Sequence, residues 1–209
     1  MFTAPFRVVL APKCVVLSIV VMAFCICLLT SRAVAANVND PLATVKAGTK
    51  QVLDLLKENP GISPSLKQKT RAVVDRYFDF QTIAMRVLGP QWRQQPPEKL
   101  KAFTSEFSRL LFDAYIQKIE KYTDEKIMYK LQEKQGDYAV VDAVITGGQV
   151  GPIPIVYYLH LKKGIWKVYD VMIEGVGLVT DYRDQINDML SRSSFDDLLK
   201  QLNEKIAPN

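Results

Sequence analysis

Apolar residues recur at three- and four-residue steps over the first half of the chain, and beyond Asp124 the step shortens to two, so helices should precede strands. Asp40-Pro41 is a helix start, and Leu42, Val45, Val52, Leu53 and Leu56 form one stripe before Pro60-Gly61 stops it, which predicts a helix over 41–58. Ser63-Pro64 opens a second helix with Leu66, Val73, Val74 and Tyr77 on one face. Asp79 caps a short third, carrying Ile83, Ala84, Val87 and Leu88 and closed by Gly89-Pro90. The strongest helical period follows Pro96-Pro97: Leu100, Phe103, Phe107, Leu110, Leu111, Ala114 and Ile119 predict a helix from 97 to about 122. Phe112 and Tyr115 widen its stripe beyond one narrow seam.

Four segments alternate as strands: Lys126 to Glu133, Tyr138 to Thr146, Ile153 to Lys162 and Ile165 to Glu174. Their links are too short for parallel crossovers, so neighbours pair antiparallel. Helical spacing then returns with Leu178, Val179, Tyr182, Ile186, Met189 and Leu190, and again after Ser194 with Phe195, Leu198, Leu199, Leu202 and Ile206. The expected architecture is α+β: N-terminal helices, a four-stranded antiparallel sheet, then C-terminal helices, in a single domain. The third strand is apolar on both faces, with Ile153, Ile155, Tyr157, Leu159 and Leu161 on one and Val156, Tyr158 and His160 on the other. Either helices wrap both sides of the sheet or one face lines a cavity.

The first residues follow a different plan. Arg7 and Lys13 precede an uncharged apolar run from Val15 to Leu29, which leads to Ala33, Ala35 and Ala36, the layout of a cleaved export signal. The run is short for a membrane span, which needs roughly 20 residues. Residues 1–35 are thus expected to be removed, leaving 36–209 as the mature domain in the periplasm. This changes the charge picture. The whole chain has 27 Lys plus Arg against 22 Asp plus Glu, a formal +5. Three of those basic residues and all three cysteines, Cys14, Cys25 and Cys27, fall in the signal, so the mature domain is only +2 and free of thiols. A weak, scattered charge argues against nucleic acid, and the lack of cysteine excludes a disulfide scaffold or a Cys-ligated metal.

Catalytic equipment is sparse. The one histidine, His160, lies mid-strand, where a bond to a neighbour explains it better than general-base chemistry, and no nucleophile elbow, His-Glu-x-x-His pair or phosphate loop occurs. Asp170 and Glu174 share a strand face but would sit roughly 13 Å apart at ~3.3 Å per residue, beyond the roughly 5–9.5 Å of a glycosidase pair. Asp181, Asp184 and Asp188 form a solvated helical stripe. Gly175-Val176-Gly177 lacks the third glycine of a dinucleotide fingerprint, since Thr180 stands there, and reads as a tight strand-to-helix bend. No catalytic residue, metal site or cofactor is expected, and the protein is not expected to be an enzyme.

The order of landmarks is informative. Tyr77-Phe78 with Phe80, Val87-Leu88-Gly89 with Trp92, Phe103, Phe107 and Leu110-Leu111 before Tyr115, then Trp166-Lys167-Val168-Tyr169-Asp170-Val171, Glu174-Gly175-Val176, Tyr182-Arg183 and Asp196 with Leu198-Leu199 resemble the MlaC family of periplasmic phospholipid-binding proteins, also called the toluene-tolerance family. The resemblance runs from about Asn39 to Lys205 and departs at Gly177, where many members carry Ser. It implies a monomeric carrier holding a glycerophospholipid in an apolar cavity between sheet and helices. Its implied partners are an outer-membrane lipoprotein–porin complex and an inner-membrane ABC transporter with a substrate-binding subunit, in a system that maintains outer-membrane lipid asymmetry. A hopanoid or other non-phospholipid membrane lipid is the alternative cargo. On this reading Phe103, Phe107, Leu110 and Leu111 face Ile155, Tyr157, Val168 and Ile173 across the pocket. Val176, Tyr182 and Arg183 lie at its mouth, where the Arg183 guanidinium can pair with a phosphate.

Overall fold

The computed structural model describes residues 40–58, 63–119, 126–147 and 151–206, so the expected export signal and its cleavage position lie outside the described residues. Four helices come first: α1 (Pro41–Glu58), α2 (Pro64–Tyr77), α3 (Phe80–Leu88) and, after a 3-10 segment at Gly89–Gln94, α4 (Pro97–Ile119). Strands β1 (Lys126–Gln135), β2 (Tyr138–Thr146), β3 (Ile153–Lys162), β4 (Ile165–Ile173) and β5 (Val176–Gly177) precede α5 (Leu178–Leu190) and α6 (Phe195–Ile206). The α+β order agrees with the sequence reading. Starts are set by local chemistry: the Ser63 hydroxyl accepts the Leu66 N–H at 3.1 Å, and the Asp79 carboxylate accepts that of Thr82 at 3.1 Å.

All strands pair antiparallel in sequence order, so the sheet is a meander with five strands instead of the expected four. The added strand is short. Glu174 and Gly175 both adopt positive φ (50° and 84°), folding Val176-Gly177 back onto Ile173 and Met172. The expected strand-to-helix bend is therefore a tight hairpin that ends in α5. Strand β1 runs two residues further than predicted and shifts register between Leu131 and Glu133.

The apolar residues separate into three clusters. A purely helical one joins Ile83, Val87 and Leu88 of α3 to Phe103, Phe107 and Leu111 of α4, Ile186 of α5 and Leu198 of α6. A second buries the inner face of the sheet, with Val141, Leu159, Trp166, Val168 and Val171 under Val45 of α1. The third holds Leu56 of α1, Leu66 of α2, and Phe112 and Ile116 of α4. The wide stripe on α4 follows from this: Phe103, Phe107 and Leu111 serve one cluster, while Phe112 and Ile116 serve another. Among the described residues no helix layer covers the outer sheet face over Val140, Val144 and Val156, which stay half-buried. Near the hairpin turns Tyr169 covers it in part, lying edge-on to Tyr138 and His160 with the Arg86 guanidinium 4.8 Å from its ring centre.

The helical and sheet clusters meet at Phe78-Asp79. Phe78 packs against both. Asp79 is 7% exposed; its N–H donates to the Val168 carbonyl at 2.8 Å, and its carboxylate receives Lys162 Nζ at 2.6 Å, Thr82 Oγ1 at 2.9 Å and lies 3.0 Å from His160 Nε2. Lys162, at the tip of the β3–β4 hairpin, is thus a partner of a buried acid. Helices α1 and α2 meet at a second tight point: a Cβ on Gly48 would lie 2.9 Å from Tyr77 Cγ, and the Tyr77 hydroxyl is held by Gln51 Nε2 at 2.6 Å.

Both points yield expected outcomes. Asp79→Ala removes the α3 cap and leaves Lys162 and His160 without their acceptor, at a cost of about 2–3 kcal/mol by urea unfolding. Burial by itself raises the Asp79 pKa, but hydrogen bonds from Lys162 and Thr82 outweigh it and hold the carboxyl below its ordinary value. A group depressed in the folded state stabilises fully at neutral pH and loses that contribution as pH falls through its folded pKa, below about 4. Wild-type stability should therefore fall more steeply than that of Asp79→Ala between about pH 5 and 2; parallel slopes would show that the carboxylate is not a linkage site. Gly48→Ala would gain about 1 kcal/mol of helix propensity in an open site. Here overpacking against the tethered Tyr77 ring is expected to reverse the sign, for a net loss of about 1 kcal/mol or more in the same assay.

Candidate functional site

The register of the sheet stacks its inward residues in rows. One end has Ala139, Leu159, Trp166 and Val168, all at 3% exposure or less. Towards the other end the rows are Leu131-Val141-Tyr157-Val171, Tyr129-Ala143-Ile155-Ile173 and Ile127-Ile145-Ile153. There Ile127, Tyr129, Ile145, Ile155, Tyr157 and Ile173 remain only half-buried although they point inward. The cause lies in the helix layer. Val52, Leu55 and Leu56 of α1, Leu66 and Val74 of α2, and Phe112, Ile116 and Ile119 of α4 pack on one another in the third cluster, which takes in no strand residue. The inner face is sealed at one end and incompletely covered at the other.

Three hydroxyls mark the transition. Thr49 of α1 hydrogen-bonds to the phenols of Tyr129 and Tyr157. Burial pushes the Tyr157 phenol up to about 12, with neighbouring Tyr129 adding to the effect and Thr49 opposing it, and burial raises Tyr129 as well. Both phenols thus stay neutral at physiological pH. Beside them a groove of about 530 Å³ opens between α1 and β1, with Leu53, Ile127 and Tyr129 as apolar lining and Lys46, Lys50, Asp54 and Lys57 along it. That volume lies within the range of small-molecule sites, about 300–1,000 Å³. A second groove, of about 490 Å³, is bordered by Met85, Gly89, Pro90, Trp92, Arg93 and Gln94 on the far side of α3. Among the described residues no trio of His, Cys, Asp or Glu is placed to hold a metal ion, and no helix is long and apolar enough to cross a membrane.

The predicted site residues divide between these regions. Ile155, Tyr157 and Ile173 lie at the half-open end, while Val168 belongs to the sealed end. The facing expected across a pocket is not present. Phe103 and Phe107 stack on each other, ring centres 5.3 Å apart, and Phe103, Phe107 and Leu111 are 4% exposed or less in the helical cluster, with Leu110 packed alongside. Tyr182 sits edge-on to Phe107 at 5.2 Å, inside that cluster and not at a mouth. Arg183 Nε and one terminal nitrogen both donate to the Arg86 carbonyl at 2.9 and 2.7 Å, so its guanidinium closes the end of α3. Val176, on the β4–β5 hairpin, is 60% exposed.

Residues that the sequence reading passed over complete the site. Ile127 and Tyr129 were visible only as alternating apolar positions of β1, and Thr49 only as a polar break in the α1 stripe. Asp170, set aside as a catalytic carboxylate, accepts the N–H of Val179 at 3.1 Å and so fixes the start of α5 against β4.

Comparison with known proteins agrees with the geometry. The family model for MlaC protein matches residues 46–204. The chain is 24% identical over 136 residues to the intermembrane phospholipid transport system binding protein MlaC of Haemophilus influenzae, the match covering 63% of this chain and 64% of that protein. It is 25% identical over 172 residues to toluene tolerance protein ttg2D of Pseudomonas putida, covering 75% of each. The fold superposes with a TM-score of 0.71 and 27% identity on the phospholipid-binding protein from Ralstonia solanacearum, solved in complex with a phospholipid, over 80% of this chain and 97% of that one. With the family match running from α1 into α6, and so through every element that builds the half-open end, the chain belongs to the MlaC family.

Proposed function

We propose that this protein is a periplasmic carrier that holds a glycerophospholipid with its acyl chains against the half-covered end of the inner sheet face. On this reading it shuttles lipid between an outer-membrane lipoprotein–porin complex and an inner-membrane ABC transporter with its substrate-binding subunit, and so maintains outer-membrane lipid asymmetry. The observation that carries the proposal is the inward-facing yet incompletely buried set Ile127, Tyr129, Ile155 and Ile173, which the third helical cluster does not take in. The phospholipid-bound Ralstonia relative supports the choice of cargo. The helix-side wall falls to Leu53 of α1, while Phe103, Phe107, Leu110, Leu111 and Tyr182 form the separate helical block.

The energetics suit a passive shuttle. Two chains of about sixteen carbons, at about 0.8 kcal/mol per CH₂, are worth on the order of 25 kcal/mol in burial. A bilayer offers nearly the same, so exchange between membrane and protein is close to balanced. Binding requires no covalent step.

Native mass spectrometry of the exported protein, purified without detergent, is expected to show a glycerophospholipid adduct, or uptake of one after incubation with vesicles. A protein that stays empty in both would sink the carrier proposal, and a polycyclic lipid adduct alone would replace its cargo. Ile155→Asp is expected to fold normally by circular dichroism, because its site is half-exposed, yet to lose lipid uptake more than tenfold, since loading would bury a carboxylate at a cost of several kcal/mol. Phe107→Ala should do the opposite: a stability loss of about 3–5 kcal/mol with uptake retained by the folded fraction. The reverse pattern would move the pocket into the helical cluster.

A further inference from the structure

The groove beside the half-open end is lined unevenly. Lys46, Lys50, Leu53 and Lys57 stand at i, i+4, i+7 and i+11 of α1, a spacing that sets all four on one stripe of a helix. Three of those four positions are lysine. The fourth, Leu53, lines the groove with Ile127 and Tyr129 of β1. The Lys46 ammonium is 5.8 Å from the centre of the Tyr129 ring, so this cation lies next to the apolar wall that continues into the sheet cluster. Among the described residues lining the groove Asp54 is the one carboxylate, and it is paired with Lys50 at 2.6 Å. The lining therefore presents three ammonium groups against one carboxylate, directly over apolar surface. Lysine stems can cover such an apolar lining in any solvated helix face, so the stripe alone decides nothing; its excess of positive charge over the groove does. As a rim, it has the polarity of one end of a lipid: negative charge outside, methylenes inside.

Resting on the carrier reading above, we infer that Lys46, Lys50 and Lys57 form the headgroup rim of the lipid site. They receive the phosphodiester of a glycerophospholipid whose chains enter past Leu53, Ile127 and Tyr129, and they favour headgroups with net negative charge over zwitterionic ones. Arg183, the cation that the sequence pointed to for this task, is occupied at the end of α3. Lysine suits the role in another respect. An ammonium on a flexible stem is a point charge without the bidentate fork of arginine, so it attracts phosphate without locking it, which a carrier that must also release its cargo requires. The stems also cover the apolar lining while the heads stay in water.

The test uses the mature chain incubated with vesicles of phosphatidylethanolamine and phosphatidylglycerol, separated from them, and analysed for captured lipid by mass spectrometry. Wild type is expected to capture phosphatidylglycerol in excess of its share in the vesicle by roughly two- to fivefold, the factor commanded by about one exposed ion pair, and the excess should shrink as salt rises. The triple variant Lys46→Gln, Lys50→Gln, Lys57→Gln should fold normally and capture a similar total, now in the proportions of the vesicle. Capture in vesicle proportions by wild type, or an excess that survives in the triple variant, would overturn the rim assignment while leaving the carrier reading intact. Capture of no lipid by either protein would overturn the carrier reading itself. Inorganic phosphate titrated onto lipid-free protein is expected to give no saturable binding at millimolar concentrations. A tight phosphate site lost in the triple variant would assign the lysines to the free ion and overturn the lipid proposal.

Discussion

The Phe78-Asp79 joint is the constraint on which the remaining arrangement depends. Two apolar clusters of comparable importance, one made only of helices and one made of the inner sheet face with α1, have Phe78 in common. Next to it Asp79 starts α3 and holds Lys162 and His160 of β3, while its backbone binds β4. Such a carboxylate is costly to bury unless its oxygens are fully used, and here hydrogen bonds to Thr82 and Lys162 more than offset the desolvation. All of these contacts lie at the hairpin-turn end of the sheet. Docking the helices there leaves the opposite end of the inner face free of the closest packing, so the sealed and half-open ends have one common origin.

Much of the fold was legible because it depends on local chemistry. The starts of α1, α2 and α3 follow from Asp40, Ser63 and Asp79, and the hairpins of the sheet from short links that leave no room for a crossover. The site was legible only in part. Ile155, Tyr157 and Ile173 could be read as inward-facing from the strand period, but which helix lies above them is a long-range choice that no stripe encodes. The aromatic residues of α4 illustrate the limit: Phe103 and Phe107 have the spacing of a buried face, and that face packs equally well on α3 and α6 as on a sheet. Arg183 and Lys162 show the same limit for charge. One closes a helix and the other satisfies a buried acid, and both partners lie more than eighty residues away in sequence.

The three hydroxyls of Thr49, Tyr129 and Tyr157 bear on how such a site can stand empty. A buried hydroxyl without a partner costs about 1–3 kcal/mol. Because Thr49 hydrogen-bonds to both phenols, neither phenol depends on a ligand for a partner. Burial raises both phenols, which keeps them uncharged. The polarity needed to position a headgroup is thereby left to the outside of the groove.

Near-balance with the bilayer makes small differences decisive. When the gross burial of on the order of 25 kcal/mol nearly cancels, the partition of a lipid between membrane and protein depends on the residue of that cancellation. One methylene buried in the bilayer but left exposed at the half-open end shifts the equilibrium by about 0.8 kcal/mol, a factor of about four, and two shift it by more than tenfold. On the proposed carrier reading, the extent of apolar cover beyond Ile127 and Ile173 would set the chain lengths that the protein holds. A complete helical lid over those residues would raise affinity and, by the same arithmetic, prevent release.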